Sequence, residues 1–437
     1  MLAAMPPPAV SPQPTGESSV RARGDACPGS LRLHHADDGA LARVRVPGGV
    51  VTAGQADVLG ELALRLGEGD IHLTSRGNAQ LRALAADCGA ELALRLGESG
   101  LLPSPRHERV RNLVASPLSG LDGRGCGDVG PWLAQLDALL CGSERAAGLS
   151  GRFLFALDDG RGDVDALGAD LTLLARDDGG ALLRIGTAAT ALSVPGAHAA
   201  RAALLAAEAF LDAAPDAGTW RVAELPGGAE ALLDAVVRAL GRAGIDAAHV
   251  AAPARPSTAA APEPGIVTGG RSGTAALSVG VPLGRVTAAQ WRLLSDTARR
   301  AGDGTLRLTP WRGVVVPGVL PGRAAALLDA LGSAALVTGP RSPWEGVGAC
   351  IGRPGCAKSL SDVRELAAAA VGPVGALPVY WSGCARRCGH PHGRWVDVVA
   401  TPEGHEVSVV HGDSRGAPVA VAAGPDALAT AVAAARG

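Results

Sequence analysis

The 437 residues of the sequence are enough for about three domains of ordinary size. Apolar side chains make up 47% of the chain and charged ones 19%, which excludes a disordered protein. The 40 basic residues nearly balance the 42 acidic ones, so bulk charge excludes a polybasic protein that binds nucleic acid or a membrane surface. Lys358 is the only lysine, and a cationic pocket must therefore be built from arginine, which binds carboxylates in a bidentate way.

The Pro-rich N-terminal stretch, residues 1–17, lacks the basic and then apolar pattern of a secretory signal. No run of about 18 strongly apolar residues occurs without a charge, a Gly or a Pro. The sequence therefore predicts a cytoplasmic protein without a membrane or nucleic-acid partner. In a reducing compartment, clustered cysteines serve as metal ligands or redox groups more often than as disulfides.

A long internal repeat organises the chain. Residues 44–55 are echoed by residues 279–290, with Pro, Thr, Ala and Gln at the same offsets. Each copy continues into a helical apolar pattern, and then into a short strand that ends in Leu-Thr and, after one or two residues, Arg-Gly. A repeat of this length is too long for a solenoid. It predicts a duplicated two-part domain with a pseudo-twofold axis and a site between the halves.

Hydrophobic periodicity predicts further elements and an α+β class with mixed or antiparallel sheets. The predicted elements, in chain order, are a helix over 59–66, strands over 153–158 and 171–176, a helix over 199–213, a Pro- and Ala-rich linker from 251, a helix over 293–301, strands over 395–399 and 407–410, and a C-terminal helix.

Four of the eight cysteines form a constellation, Cys350-x5-Cys356 followed by Cys384-x3-Cys388. We predict that Cys356 opens a helix and that Cys384 follows a strand at 378–380. Four thiolates from two loops can hold a 4Fe–4S cluster, which needs one thiolate per iron. The alternatives are a structural zinc, for which the x5 spacing is atypical, and buried free thiols. The other cysteines are expected to pack as small apolar residues: Cys27, Cys88, Cys126 and Cys141.

The cysteine pattern, the duplication and the strand end Thr74-Ser75-Arg76-Gly77 resemble the sirohaem-dependent nitrite and sulfite reductase superfamily. The resemblance runs from Cys27 onward. Within the superfamily, the details are most similar to the precorrin-3B synthases, which are oxygen-dependent enzymes of aerobic cobalamin biosynthesis. The segments that carry this closer resemblance are 26–29, 39–45, 111–122, 355–357 and 382–385.

The resemblance implies a duplicated fold with two ferredoxin-like half-domains, two mixed α/β domains and pseudo-twofold symmetry. The implied boundaries are a disordered tail at 1–26, a first half-domain at 27–120, a first α/β domain at 121–250, a linker at 251–272, a second half-domain at 273–340, and a second α/β domain with the cluster at 341–437.

The resemblance also implies cofactors. Cys350, Cys356, Cys384 and Cys388 would ligate a 4Fe–4S cluster, and in the reductases the last of these thiolates bridges to the sirohaem iron. A further iron centre or sirohaem stays open here, with candidate ligands His34, His35, His390 and His392, although histidines near loops usually face solvent. The segment 125–130 matches a dinucleotide fingerprint by letter only, because no strand precedes it. Electrons are therefore expected from an external NAD(P)H-linked donor, through a ferredoxin or a reductase.

Four arginines are the implied substrate ligands. Arg76 and Arg111 match catalytic positions that face the tetrapyrrole and its substrate, and Arg152 and Arg312 are further substrate-binding candidates. Where the reductases have a lysine in the strand after residue 150, this chain has Leu154. The missing cation argues against a multi-electron reduction of a small anion.

The implied activity is that of a monooxygenase: hydroxylation of precorrin-3A at a meso carbon with molecular oxygen, followed by lactone formation with a neighbouring acetate. The partners would be precorrin-3A, oxygen and an electron-transfer protein. The alternatives are a sirohaem-dependent assimilatory sulfite or nitrite reductase, and a cluster-bearing scaffold without activity.

Overall fold

The four sheets of the protein account for the duplication in the sequence. The computed structural model describes residues 25, 28–257, 260–270, 272–391, 393–412, 414–421 and 424–437. Cys27 and His392 lie outside these residues. The described part of the chain has two repeat units with five-stranded sheets and two mixed domains with six-stranded sheets.

The first half of the chain holds the first repeat unit (34–98) and the first mixed domain (113–251). The elements of the first repeat unit are β1 His34–Ala36, β2 Gly39–Val44, β3 Val50–Thr52, α1 Ala53–Leu66, β4 Ile71–Leu73, β5 Ala79–Leu84 and α2 Gly89–Glu98. Those of the first mixed domain are β6 Leu113–Ala115, α3 Gly130–Gly142, β7 Phe155–Asp158, β8 Leu171–Ala175, β9 Ala181–Ile185, β10 Thr190–Val194, α4 Ala199–Ala213, α5 Gly228–Arg242 and β11 Ala248–Ala251.

The second half repeats this order in the second repeat unit (265–333) and the second mixed domain (347–436). The elements of the second repeat unit are β12 Gly265–Val267, β13 Ala275–Gly280, β14 Arg285–Val286, α6 Ala288–Ala301, β15 Thr305–Leu308, β16 Gly313–Val319 and α7 Pro321–Ser333. Those of the second mixed domain are β17 Val347–Ala349, α8 Val363–Ala369, β18 Val379–Ser382, β19 Arg394–Thr401, β20 Gly404–His411, β21 Ser414–Arg415, β22 Val419–Val421 and α9 Pro425–Arg436.

The two repeat units exchange one edge strand each. β14 of the second unit pairs with β4 of the first, and β3 of the first pairs with β15 of the second. Helices α1 and α6 pack against each other across the same boundary, where the indole N–H of Trp291 donates to the carbonyl oxygen of Ala56 at 2.6 Å. Both units therefore share one hydrophobic core, and the predicted α+β duplication with pseudo-twofold symmetry is confirmed.

The residues that recur in the sequence repeat are those that begin α1 and α6. Thr52 Oγ1 accepts from Gln55 N at 3.1 Å while Gln55 Oε1 accepts from Thr52 N at 3.0 Å. Thr287 and Gln290 form the same reciprocal capping box. In each unit the glutamine also donates to the carbonyl at the end of the next helix, Ser99 or Ala334. The shared Thr and Gln thus fix the helix start and its neighbour in both units.

Two sequence expectations about local structure are wrong. Cys356 does not open a helix: α8 begins at Val363, because the Asp362 carboxylate caps it by accepting from the Arg364 and Glu365 amides. The two Arg-Gly strand ends are also not equivalent. Thr74 Oγ1 accepts from the amide four residues on, at Asn78, and Thr309 Oγ1 does the same four residues on.

Because both turns have the same length, the internal symmetry pairs Gly77 with Arg312, and Arg76 with Trp311. Both Gly77 and Arg312 have left-handed backbones, with φ of 65° and 59°. Arg312 therefore holds a conformation that glycine adopts without strain in the other copy.

The mixed domains each end in a sheet that starts with three parallel strands. The order is β6-β7-β8 in the first and β17-β18-β19 in the second, and an antiparallel strand follows in both. Helix α4 covers the predicted residues 199–213, which is confirmed. None of the helices in the described ranges combines the length and apolarity needed to span a bilayer.

Candidate functional site

The four cysteines of the constellation lie on two loops at one edge of the second mixed domain. Cys350 follows β17 and Cys384 follows β18, and parallel neighbouring strands bring their carboxyl ends to the same edge. Leu360 N donates to Gly383 O at 2.7 Å, and Gly383 N donates to Cys350 Sγ at 3.2 Å. Two hydrogen bonds therefore join the loops, one of them to a predicted ligand sulfur.

Burial raises the pKa of the Cys350 thiol, and the nearby thiols of Cys388 and Cys384 raise it further. All four are free thiols; Cys388 is exposed and the other three are partly buried. Across the residues that the structure describes, no three His, Cys, Asp or Glu side chains surround a point where a single ion could bind. Four thiols on two bonded loops fit a 4Fe–4S cluster, whose irons take one thiolate each, better than they fit one zinc ion.

The cysteine loops are fastened to the first repeat unit. Arg82 forms a bidentate pair with Asp38, 2.9 Å for each bond, and also donates to Gly355 O at 3.1 Å. The Ala357 amide donates to the Asp37 carboxylate. The loop that carries Cys356 is therefore held by the turn between β1 and β2. Loop position here depends on contacts with a distant part of the chain.

The loop that carries Cys388 is braced on the sheet below it. Tyr380 Oη donates to Cys388 O at 2.6 Å. Arg387 Nε donates to the buried Asp397 carboxylate at 2.7 Å. The ring of His390 stacks on Trp395 with 5.3 Å between centroids. Arg387 and His390 thus have local structural contacts, whereas the Arg386 side chain is exposed.

A pair of desolvated arginines lies beneath the cysteine loops. Arg364 Nε donates to Cys350 O at 3.2 Å, and its Nη1 lies 3.1 Å from His72 Nδ1. Burial, together with the charge of the nearby Arg312, lowers the pKa of Arg364 to about 10. Burial also lowers the pKa of Arg312, and Tyr380 lies close enough to counter this. The structure thus places Arg312 beside the cysteine loops. Sequence reasoning missed Arg364 because it sits in an ordinary helical pattern.

Arg111 is buried in an ion pair. Its guanidinium donates to both carboxylate oxygens of Asp137 at 2.7 Å and to Leu101 O at 3.0 Å, and 5% of its side chain is exposed. Arg111 and Asp137 lie in the wall of a cavity of about 460 Å³, which we call the inter-unit cavity. Arg111 therefore stands at a cavity, but its hydrogen-bonding capacity is largely committed.

Two further arginines, missed by sequence reasoning, line the inter-unit cavity. Arg45 donates to Asn112 Oδ1 at 2.9 Å and to Gly151 O at 3.0 Å. Arg307 donates through Nη1 to two carbonyl oxygens of the segment 117–119, each at 2.9 Å. A signal for Arg45 existed in the repeat, because the second copy has Gly280 at the equivalent position.

Replacing Arg111 with alanine is expected to destabilise the fold by about 3 kcal/mol, because removing one partner of a buried pair leaves the other uncompensated. Urea denaturation measures this loss. Arg106→Ala is the control, since Arg106 is exposed and its stability effect should stay within about 0.5 kcal/mol. A small effect in both variants would contradict a structural contribution from the pair between Arg111 and Asp137.

The remaining predicted arginines lie in other surroundings. Arg76 is half-buried in the turn after β4, where its amide donates to Thr74 Oγ1 at 3.3 Å. Arg152 is at the surface with 52% of its side chain exposed, and its guanidinium lies 4.5 Å from the ring centre of Trp220. Neither residue lines the inter-unit cavity. The four arginines are thus spread over four positions rather than gathered in one pocket.

Leu154 is buried in an apolar cluster. It is 1% exposed and packs with Trp311, Val114 and Ala156. Its amide donates to the buried Asp170 carboxylate at 2.8 Å. The position at which the reductases have a lysine is therefore part of a hydrophobic core in this protein.

The internal symmetry places Ser116 at the position of Cys350. Ser116 N donates to Leu157 O at 3.0 Å, as Cys350 N does to Trp381 O at 2.9 Å. Ser116 Oγ accepts from Asp159 N at 3.1 Å, as Cys350 Sγ does from Gly383 N. The first mixed domain therefore has a hydroxyl where the second has a thiol.

A buried acidic cluster surrounds this hydroxyl. Ser116 Oγ donates to Asp163 Oδ1 at 2.6 Å. Burial and the neighbouring Asp158 raise the pKa of Asp163 to about 7. Asp158 accepts four backbone amides of the segment 160–165, and Arg161 pairs with Asp159 at 2.7 Å. The cluster is thus satisfied by local donors and by one arginine.

The stability of the protein is expected to fall as the pH rises from about 4 to about 7. In this range the native Asp163 keeps a proton that the unfolded chain has released, so the native state binds more protons and rising pH disfavours it. Asp163→Asn should flatten the dependence of the melting temperature on pH. The control is Asp234→Asn, at an exposed position on α5, which should keep the wild-type slope. An unchanged slope in Asp163→Asn would contradict the raised pKa.

Comparison with known proteins identifies the repeat units. The family model of the nitrite/sulfite reductase ferredoxin-like half domain matches residues 34–97 and, separately, residues 269–334. The chain belongs to the nitrite/sulfite reductase superfamily. This confirms the family and the duplicated fold predicted from the sequence, and the superfamily implies an iron–sulfur cluster and sirohaem in general terms.

Three relatives place the chain within the superfamily. It is 28% identical over 418 residues to a precorrin-3B synthase of Sinorhizobium sp, which covers 93% of this chain and 87% of that protein. It is 34% identical over 84 residues to a ferredoxin–nitrite reductase of Leptolyngbya laminosa, which covers 19% of this chain and 16% of that protein. Its fold matches that of the Mycobacterium tuberculosis NirA protein with a TM-score of 0.63 and 18% identity, over 87% of this chain and 77% of that one.

Proposed function

We propose that this chain catalyses the precorrin-3B synthase reaction, the oxygen-dependent hydroxylation of precorrin-3A with lactone formation. The observation that carries the proposal is the similarity to a precorrin-3B synthase along 93% of the chain. In the reaction, one atom of dioxygen enters the product and the other leaves as water. That balance requires two electrons and two protons, which come from an external NAD(P)H-linked donor through a ferredoxin or a reductase.

The cysteine loops are the proposed cofactor site. Cys350, Cys356, Cys384 and Cys388 would hold a 4Fe–4S cluster, which supplies single electrons when bound. The Gly383 amide that donates to Cys350 Sγ would stabilise the thiolate form of this ligand. Whether sirohaem or a second iron centre accompanies the cluster stays a prediction, as do the domain boundaries and the cytoplasmic location.

The arginines are proposed to bind the carboxylates of the tetrapyrrole. Arg76 and Arg152 retain solvent-accessible guanidinium groups, and bidentate hydrogen bonds from such groups match carboxylate geometry. Arg312 is held beside the cysteine loops by the surroundings described above. Arg111 is proposed to shape the inter-unit cavity through its pair with Asp137. We therefore assign direct contact with the macrocycle to Arg76 first.

The burial of Leu154 supports an oxygenase in preference to an anion reductase. A reductase that converts sulfite or nitrite must hold a small anion through many electron transfers, and fixed cations stabilise such charge. In this chain the side chain at position 154 is apolar and packs against Trp311. Dioxygen is neutral and needs no such cation.

Turnover assays separate the proposal from the reductase alternative. With the cluster reconstituted, the protein should convert precorrin-3A in air when a chemical reductant is supplied. With reduced methyl viologen under argon, it should reduce neither sulfite nor nitrite at an enzymatic rate. Rapid sulfite reduction without conversion of precorrin-3A would instead establish a sirohaem-dependent reductase.

A further inference from the structure

The segment that carries the cysteine loops has a charge unlike the rest of the chain. The whole sequence has a formal net charge of −2. Residues 350–394 contain six lysine and arginine residues but two carboxylates, Asp362 and Glu365. Asp362 is occupied as the cap of α8. The surface around the predicted cluster is therefore positive on a protein that is slightly negative overall.

Three of these cations are exposed around the cysteine loops. Arg353 and Lys358 lie on the loop that carries Cys356, and Arg386 lies between Cys384 and Cys388. Within the described ranges none of the three has a carboxylate at ion-pair distance. The nearby carboxylate of Asp37 already accepts the Ala357 amide. Their charges are thus directed to solvent rather than to the protein.

An apolar side chain and a predicted ligand complete this surface. Leu360 is 43% exposed and follows Lys358 by two residues. Cys388 is the exposed member of the four cysteines. We name the surface formed by Arg353, Lys358, Leu360 and Arg386 the cluster-side patch. A mixture of unpaired cations with an apolar residue is typical of an interface that forms and dissociates readily.

We propose that the cluster-side patch docks a small acidic electron-donor protein. The inference rests on the proposed function, because it assumes that the four cysteines hold a redox cluster. Opposite charge would steer the donor to this face and orient it there. Docking at the patch would bring the donor next to the exposed Cys388 side of the cluster. Long-range attraction of this kind weakens as salt increases.

The single lysine makes the position of docking measurable. A carbodiimide joins a carboxylate to a primary amine as an amide and takes up the released water as a urea. Apart from the α-amino group, Lys358 is the only such amine in this chain. With an acidic plant-type 2Fe–2S ferredoxin as the probe and the reconstituted protein, we expect a one-to-one adduct through Lys358. Lys358→Arg keeps the charge and should abolish this adduct while leaving the dissociation constant within about twofold.

Charge reversal provides the affinity test. Lys358→Glu and Arg386→Glu should each weaken binding of the ferredoxin about tenfold at low salt, with iron content unchanged. Arg238→Glu makes the same change in charge at an exposed position on α5 and should leave affinity unchanged. An adduct through the α-amino group alone, or equal weakening by Arg238→Glu, would overturn the patch. Binding at Lys358 without conversion of precorrin-3A would refute the proposed function and leave the docking surface intact.

Discussion

Cys384→Ser and Cys356→Ser should each lose nearly all bound iron and acid-labile sulfide after anaerobic reconstitution. A serine hydroxyl is a poor ligand for cluster iron, and each iron depends on one thiolate. The two cysteine loops should also become sensitive to protease, because ligation and local folding are coupled. Elemental analysis, the visible absorption of the cluster and limited proteolysis measure these effects.

Cys141→Ser is the matched control for this experiment. Cys141 is a partly buried thiol on α3 in the first mixed domain, and it lies on neither cysteine loop. Its variant should retain the wild-type content of iron and sulfide. Full iron and sulfide in either Cys384→Ser or Cys356→Ser would show that the ligands are assigned wrongly.

Turnover of precorrin-3A under labelled dioxygen should place one labelled atom in the product. The prediction follows from the balance of the proposed reaction, in which the second oxygen atom leaves as water. No conversion should occur under argon, whatever the reductant. Mass spectrometry of the product decides the origin of the hydroxyl oxygen.

Labelled water and a cluster-free variant serve as the controls. Labelled water with ordinary dioxygen should give an unlabelled hydroxyl group, and Cys384→Ser should give little product under either condition. An unlabelled product under labelled dioxygen, or conversion without oxygen, would defeat the monooxygenase reading.

The duplication and much of the secondary structure could be predicted from the sequence because their signals are local. The period of apolar residues gives α4 its observed bounds, 199–213. The recurring Thr and Gln mark the starts of α1 and α6 because a capping box needs only residues three apart. The cysteine loops follow β17 and β18, which places Cys350 and Cys384 at one sheet edge.

Contacts between distant residues could not be predicted in this way. Nothing near Arg111 announces that Asp137, 26 residues on, takes its guanidinium. The Asp362 cap overrides the helical pattern that appeared to begin at Cys356. The equivalence of Gly77 and Arg312 depends on a turn length that a side-chain hydrogen bond of threonine fixes. Each of these errors arises where a specific polar contact decides the geometry.

The strand exchange between the two repeat units has a consequence for how the chain could be divided. A fragment that ends before β12 would lack β14 and leave one edge of β4 unpaired, and a fragment that starts at β12 would lack β3 beside β15. Each fragment would also expose the face of α1 or α6 that the other now covers. Neither half is a self-sufficient folding module. A split within the Pro- and Ala-rich segment between β11 and β12 would yield two pieces that are soluble and ordered only when they are produced together.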